Sequence, residues 1–344
     1  MDKNRNKTLD IAKALCICLM VIGHSGCPEY ICRYIYMFHM PCFYFISGYL
    51  LKSKYISNIK EGVIRKIQGT YWPFVKWSLI FLLFHNIFNF LHIYDKEYNL
   101  YEFGIKTIRI LTLTGSESLL GGFWFLISLF WSSIITLIGF HLLEKWHRLQ
   151  PSMILIQVVF LLIIAVSLNF ISIKIPQQLH EQTLIATAFF MMGYIFKTLK
   201  LLNKSSLKIA SLCLTIPAFF AISLNWSMSL KGFYIIPYFF VALLGTIGVL
   251  GLSVRLSHCK GADILVYIGN KTLYILIYHF LAFKLVSLLY IRYNNLPIEY
   301  LSQFPTLNGS PSYLWVGYSI IGIIIPLIIW KVFSKIQNIK MILK

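Results

Sequence analysis

The chain is short of charge, and the charge it has is mostly of one sign. Only 12% of its 344 residues are charged, and Lys plus Arg outnumber Asp plus Glu by 31 to 12. A soluble domain carries about twice that charged fraction, so no soluble domain is expected anywhere in it. Carboxylates are too few and too scattered to combine with His and Cys at zinc-ligand spacing, and no metal site is expected. There is no glycine-rich phosphate loop, no repeat of fixed period and no low-complexity tract. Cysteines number seven, an odd count. Cys16, Cys18, Cys42 and Cys213 sit in apolar runs as small hydrophobes, and only Cys27 and Cys32 are placed to pair in an oxidising compartment.

What the chain has instead is apolar residues, 58% of the total, with a mean hydropathy of +0.72. Apolar runs long enough to cross a bilayer recur along its whole length, at 9–27, 34–51, 71–94, 123–143, 153–171, 183–199, 208–224, 234–254, 264–290 and 313–333. Runs of this length satisfy their backbone groups in lipid as helices, whereas barrel strands are near ten residues and alternate. The expectation is an all-α polytopic membrane protein of about ten transmembrane helices, one domain over residues 1–344.

The net charge of +19 invites a nucleic-acid reading, which the placement of the charges defeats. With the N-terminus inside, ten spans put 20 of the 31 Lys and Arg in cytoplasmic segments, among them Lys3, Arg5, Lys7, Lys52, Lys54, Lys60, Arg65 and Lys66. Seven fall outside: Arg33, Lys96, Lys106, Arg109, Lys174, Lys231 and Arg292. This positive-inside bias sets both termini in the cytoplasm. The basic N-terminus followed by an apolar run resembles a signal peptide in outline only. Asp10 and Lys13 interrupt the run and no small-x-small cleavage site follows, so a retained first span is expected.

That first run carries the main functional signal. A charge at the centre of a span costs roughly 2.5–3.5 kcal/mol on insertion scales, so intramembrane ionisable groups usually mark a site. At about 100° per residue, the eleven steps from Lys13 to His24 close about three turns, and Asp10 falls within about 40° of His24. One helix face then presents a carboxylate, an ammonium and an imidazole, with about 16 Å of rise between Lys13 and His24. A long anionic ligand suits that face. Asp10, about 21 Å from His24 along the axis, fits better as the partner of Lys13 three residues on.

The short first external loop makes spans one and two a hairpin, which brings His39 towards the depth of His24. Pro41 removes a backbone hydrogen bond beside it and is expected to kink the helix. Ser47-Gly48-Tyr49 reads first as helix packing, with hydroxyls near the cytoplasmic end. Arg65 and Lys66 close the most basic cytoplasmic loop. Ordinary positive-inside anchoring accounts for them, and so does phosphate binding. Trp124, at the outer boundary of the fourth span, reads either as an interfacial anchor or as a platform for a sugar ring.

Taken together, these segments resemble the integral-membrane acyltransferase 3 family. The resemblance rests on Leu9-Asp10-x-x-Lys13 followed by His24, on Phe38-His39-Met40-Pro41, and on Phe45-Ile46-Ser47-Gly48-Tyr49. Gly121-Gly122-Phe123-Trp124-Phe125-Leu126 and Tyr267 to His279 add two further signatures in the right order. The branch it most resembles is that of fucose 4-O-acetylase-like and polysaccharide O-acetyltransferases. Residues 140–260 match nothing in it.

The resemblance implies transfer of an acyl group, usually acetyl, from acyl-CoA to a carbohydrate hydroxyl on a cell-surface or lipid-linked glycan. It implies that Lys13, standing where many members have Arg, contacts the CoA phosphates as a point charge, with Arg65 and Lys66 assisting. It places His24 as general base or transient acyl carrier and His279 as a second catalytic group. Asp10, His39, Ser47 and Trp124 would support substrate or structure. The expected location is a bacterial inner membrane, with acetyl-CoA as co-substrate, a carbohydrate acceptor, the lipid bilayer as surroundings and no nucleic acid. A transporter or flippase of glycan or lipid intermediates is the alternative, and the absence of a repeated half weighs against it. A glycan polymerase would need a large external catalytic loop. The longest, about 95–122, offers only Asp95, Glu97, Glu102 and Glu117.

Overall fold

The computed structural model describes residues 6–170, 180–204 and 206–342. Lys3, Arg5, Lys174 and Lys344, counted above for orientation, lie outside them. Every regular element among the described residues is helical, and none is a strand.

The first helix, α1 (Lys7–His24), starts where the Asn6 side chain accepts from the Leu9 N–H at 3.3 Å, satisfying a free donor of the first turn. It ends at Ser25, and Gly26 at φ +78° turns the chain into α2 (Glu29–Tyr49). α2 runs through Pro41 without a break, so the expected kink does not interrupt the helix.

The basic sequence after α2 folds into α3 (Lys54–Ser57) and α4 (Ile59–Lys66), then a π-helical turn over Ile67–Tyr71. Such single π turns are frequent at functional sites. The third predicted stretch is broken at Phe84 into α5 (Trp72–Leu83) and α6 (His85–Phe90). Helix α7 (Leu100–Leu111) is held by a capping box between Asn99 and Glu102, and a 3₁₀ turn over Ser118–Phe123 leads into α8 (Trp124–Lys145).

Four helices follow at predicted places: α9 (Pro151–Ser167), α10 (Glu181–Thr198), α11 (Leu207–Ser223) and α12 (Ile235–Leu256). The ninth stretch, expected as one span over 264–290, is two helices, α13 (Ala262–Gly269) and α14 (Thr272–Tyr293). The chain breaks at Asn270–Lys271, where α13 ends hard against α1: a Cβ on Gly269 would lie 1.8 Å from the Asp10 carbonyl oxygen. The last helix is α15 (Leu314–Ile342).

Among the described residues, four helical stretches are long and apolar enough to cross a membrane: Ser118–Lys145, Gly232–Leu256, Thr272–Tyr293 and Leu314–Ile336. α1 falls outside that group because Lys7, Asp10 and Lys13 interrupt it. The outer surface fits lipid. On α15, Ile320, Ile324, Ile328 and Val332 repeat every four residues and are each about half exposed, which is one apolar stripe with nothing packed over it.

α1 lies at the centre, packed on α2, α12, α13, α14 and α15. Glycines set the closest approaches. A Cβ on Gly48 would lie 1.7 Å from the Phe190 carbonyl oxygen, and one on Gly193 would lie 1.9 Å from that of Phe45. α2 and α10 therefore touch backbone to backbone, the small-residue packing that membrane helices use in place of a hydrophobic driving force. This close seam fixes the α1–α2 hairpin against α10 and leaves a space on its other side.

Candidate functional site

That space is a cavity of about 460 Å³, inside the range of small-molecule sites. Its walls come from α1, α2, α8 and α14, with loop residues closing the ends. Lys13 and His24 both face it, as their eleven-residue spacing requires. Lys13 is at one end with Ser47, Gly69 of the π turn and Thr272, the first residue of α14. Trp124, Gln182, Ser227 and Ser229 are at the other, where α8, α10 and α12 begin. Ile17, Met20, Phe43, Phe125, Leu129 and Leu276 make the stretch between them apolar.

Asp10 is placed differently from Lys13 and His24. It is buried against α13, outside the cavity lining, and its carboxylate holds the Lys13 ammonium at 2.6 Å. The acid of the predicted polar face thus turns inward and neutralises the base. Lys13 keeps donors free for a ligand, since an ammonium has three. The break before α14 adds a second anion-attracting group at the same end: the unpaired N–H groups and positive dipole of a helix N-terminus.

His24 is partly exposed to the cavity, and its ring nitrogens have no protein hydrogen-bond partner among the described residues. His279 stands behind it, fully buried, with ring centroids 5.6 Å apart. Its Nδ1 lies 3.1 Å and 3.0 Å from the carbonyl oxygens of Ile275 and Leu276, so Nδ1 carries the proton and donates. Nε2 is then the basic nitrogen, and it is buried without a hydrogen-bond partner. Gly122 lies beside this ring and makes room for the Leu276 side chain, which a Cβ there would meet at 2.8 Å, while the His279 Cε1 would be at 3.8 Å, an ordinary contact.

His39 does approach the level of His24, with Tyr36 between them: ring centroids are 5.4 Å from Tyr36 to His39 and 6.2 Å from His24 to Tyr36. The His39 Nδ1 donates to the Ile35 carbonyl at 2.7 Å, which leaves Nε2 as the acceptor. Tyr36 is tied down by its hydroxyl, which donates to the Gly23 carbonyl at 2.7 Å. The Ser47 hydroxyl is taken up by the Phe43 carbonyl at 2.8 Å.

Arg65 and Lys66 do not line the cavity. Arg65 is exposed, and the Lys66 ammonium lies 5.1 Å from the centre of the Phe190 ring. Burial, with the like charge of Arg65 second, lowers the Lys66 ammonium to about 8. The π turn that follows connects this basic pair to the cavity through Gly69.

Several groups that carry no assignment in the sequence acquire one. His85 is buried between Tyr94 and Tyr98, with the Tyr98 ring stacked 3.4 Å away. Its Nδ1 meets Glu117 at 2.7 Å and its Nε2 the Lys96 carbonyl at 2.9 Å, so it clamps the 95–117 loop to α6. Lys284, buried in α14, donates to the carbonyls of Leu301 and Gln303 at 2.8 and 2.7 Å. Cys27 and Cys32 are free thiols with Sγ atoms 2.8 Å apart. No group of three His, Cys or carboxylate side chains able to hold a metal occurs among the described residues.

Tyr36, Gln182, Ser227 and Ser229 are cavity residues that the sequence alone does not single out. A Gln at the start of an apolar run and two serines in a short loop have no spacing that distinguishes them from ordinary helix ends.

Comparison with known proteins supplies the context for this cavity. A family model described as an acyltransferase domain, of the acyltransferase 3 type, matches residues 6–331. The nodulation protein NolL of Mesorhizobium japonicum is 28% identical over 160 residues, covering 43% of this chain. The match spans only 38% of that protein's length. No solved structure matches the chain.

Proposed function

The chain belongs to the acyltransferase 3 family, and on that premise we propose that it is a membrane O-acyltransferase using acyl-CoA. The acyl group, most simply acetyl, would pass to a hydroxyl of a cell-surface or lipid-linked carbohydrate. The observation that carries this reading is the single cavity joining a cationic end at Lys13 to the His24 imidazole and a neutral polar mouth. CoA has the matching shape: phosphates at one end, a long thin arm and a thioester at the other.

In the proposed arrangement the phosphates lie near Lys13, the N-terminus of α14 and the cytoplasmic Arg65 and Lys66. The apolar middle of the cavity takes the pantetheine arm and brings the thioester to His24. His24 takes the proton from the attacking sugar hydroxyl while its oxygen forms the new C–O bond to the acyl carbon. The C–S bond breaks, and the thiolate leaves with the proton from the imidazolium as free CoA thiol. His279, 5.6 Å behind, sets the position and polarity of the His24 ring. A covalent acyl-His24 intermediate is the variant of this step in which Nε2 or Nδ1 attacks first.

The same proposal includes ten spans, cytoplasmic termini, one catalytic domain over 1–344, a bacterial inner-membrane location and the fucose 4-O-acetylase-like branch. The positive-inside distribution of Lys and Arg supports the orientation. Purified protein in liposomes with labelled acetyl-CoA tests the reading. Thioester turnover, with label appearing in added membrane glycolipid, is expected. Movement of glycolipid across the bilayer without thioester consumption would overturn it in favour of a transporter.

A further inference from the structure

The mouth of the cavity carries more information than the reaction class. Trp124, Gln182, Ser227 and Ser229 arrive from three separate parts of the chain, yet all four face one end of the cavity that contains His24. Each offers uncharged hydrogen-bonding groups, and Trp124 adds an aromatic face. Neither the Gln182 amide nor the Trp124 indole N–H has a protein hydrogen-bond partner among the described residues, so both are available to a ligand. The two serines hydrogen-bond each other at 2.7 Å, and the Ser229 N–H donates to the Ser227 hydroxyl at 3.3 Å, which holds the pair in place. Trp226 next to them is buried and stacked on Phe220 at 5.4 Å, anchoring the loop that carries them.

Charge is confined to the other end. Among the described lining residues Lys13 alone is a permanent cation, and no carboxylate lines the cavity. Arg33, an outer-side cation, is tied to Glu29 at 2.5 Å. A carboxylate brought into this mouth would lose its hydration with no guanidinium or ammonium among the lining residues there to receive it, a cost far above that of an unpaired hydroxyl. A neutral ring with several hydroxyls meets the opposite situation: an amide and two hydroxyls to pair with, and an indole face for its apolar side.

We propose that Trp124, Gln182, Ser227 and Ser229 form the acceptor subsite, and that the residue they select is an uncharged sugar rather than a uronic or other acidic one. This rests on the acyltransferase reading above and adds to it the class of acceptor. The acyl transfer itself is the balanced step already given, with His24 carrying the proton from sugar hydroxyl to CoA thiolate.

Two matched pairs of probes test it: para-nitrophenyl β-D-glucopyranoside and para-nitrophenyl β-D-glucuronide, which differ at C6 alone, and the corresponding galactoside and galacturonide. Each is offered with labelled acetyl-CoA to the protein in liposomes, and thioester hydrolysis without acceptor is measured in parallel. The neutral glycosides are expected to give kcat/KM at least tenfold above their uronides. Gln182→Leu should raise the glycoside KM about tenfold, a larger change than in the KM for acetyl-CoA. Gln182→Arg should narrow the preference by improving the uronide. Thioester turnover with equal use of both members of each pair, or with no use of the neutral ones, would overturn the subsite and leave the donor chemistry standing. No thioester turnover under any condition would overturn the acyltransferase reading beneath it.

Discussion

His279 places its unpartnered Nε2 behind His24, with the two rings 5.6 Å apart and Phe280 packed against both, at 5.1 Å from His24 and 4.0 Å from His279. A buried basic nitrogen without a hydrogen bond is costly, and such groups persist where they serve a site. The pair comes from helices at opposite ends of the sequence.

If His279 works by positioning His24, His279→Phe should lower kcat about 10- to 100-fold with little change in the KM for acetyl-CoA. His279→Gln, which keeps an amide in place of the imidazole, should recover part of that loss. Steady-state kinetics on variants of equal expression check this, and equal activity in His279→Phe would reduce His279 to a packing residue.

The α2–α10 seam should be the least tolerant part of the fold. Gly48→Ala would drive a methyl to within 1.7 Å of the Phe190 carbonyl oxygen, a backbone atom that cannot move aside. Overpacking of this kind costs typically 1–3 kcal/mol or more. Gly69→Ala is the control, because nothing lies within 4 Å of its Cβ position. Thermal unfolding in detergent should show a clear drop for Gly48→Ala and no change for Gly69→Ala.

Lys66 gives a pH signature. Burial lowers its ammonium from 10.5 to about 8, so its charge is present below pH 8 and is lost as the pH rises through that value. If it helps hold CoA phosphates, the affinity for acyl-CoA should fall between pH 7 and 9.5. Binding near pH 8 should take up protons, because the anion favours the charged form. Lys66→Arg stays charged throughout and should abolish this pH dependence. A titration of CoA binding against pH on both proteins decides the matter, and identical profiles would remove Lys66 from the donor site.

Much of the geometry was legible in residue spacing. Eleven steps from Lys13 to His24 are enough to put both on one wall, and three steps from Asp10 to Lys13 are enough for their ion pair at 2.6 Å. What spacing hides is direction and breakage. Asp10 shares the projected face but is drawn to α13, because Gly269 lets that helix touch the α1 backbone. The stretch at 264–290 reads as one span by its overall hydropathy, yet it breaks at Asn270–Lys271, where two polar residues follow Gly269. Gln182, Ser227 and Ser229 come to the cavity that His24 lines only through tertiary packing, so no local pattern marks them. Pro41 is buried inside α2, and the helix continues on both sides of it.

The most direct measurement compares wild type and His24→Ala in liposomes with radiolabelled acetyl-CoA, after confirming equal insertion and monodispersity. Loss of general-base catalysis costs roughly 10²–10⁴-fold, so label transfer should fall to background in the variant while CoA still binds. Full transfer by a well-inserted His24→Ala protein would contradict the assignment of His24 as the group that does the chemistry.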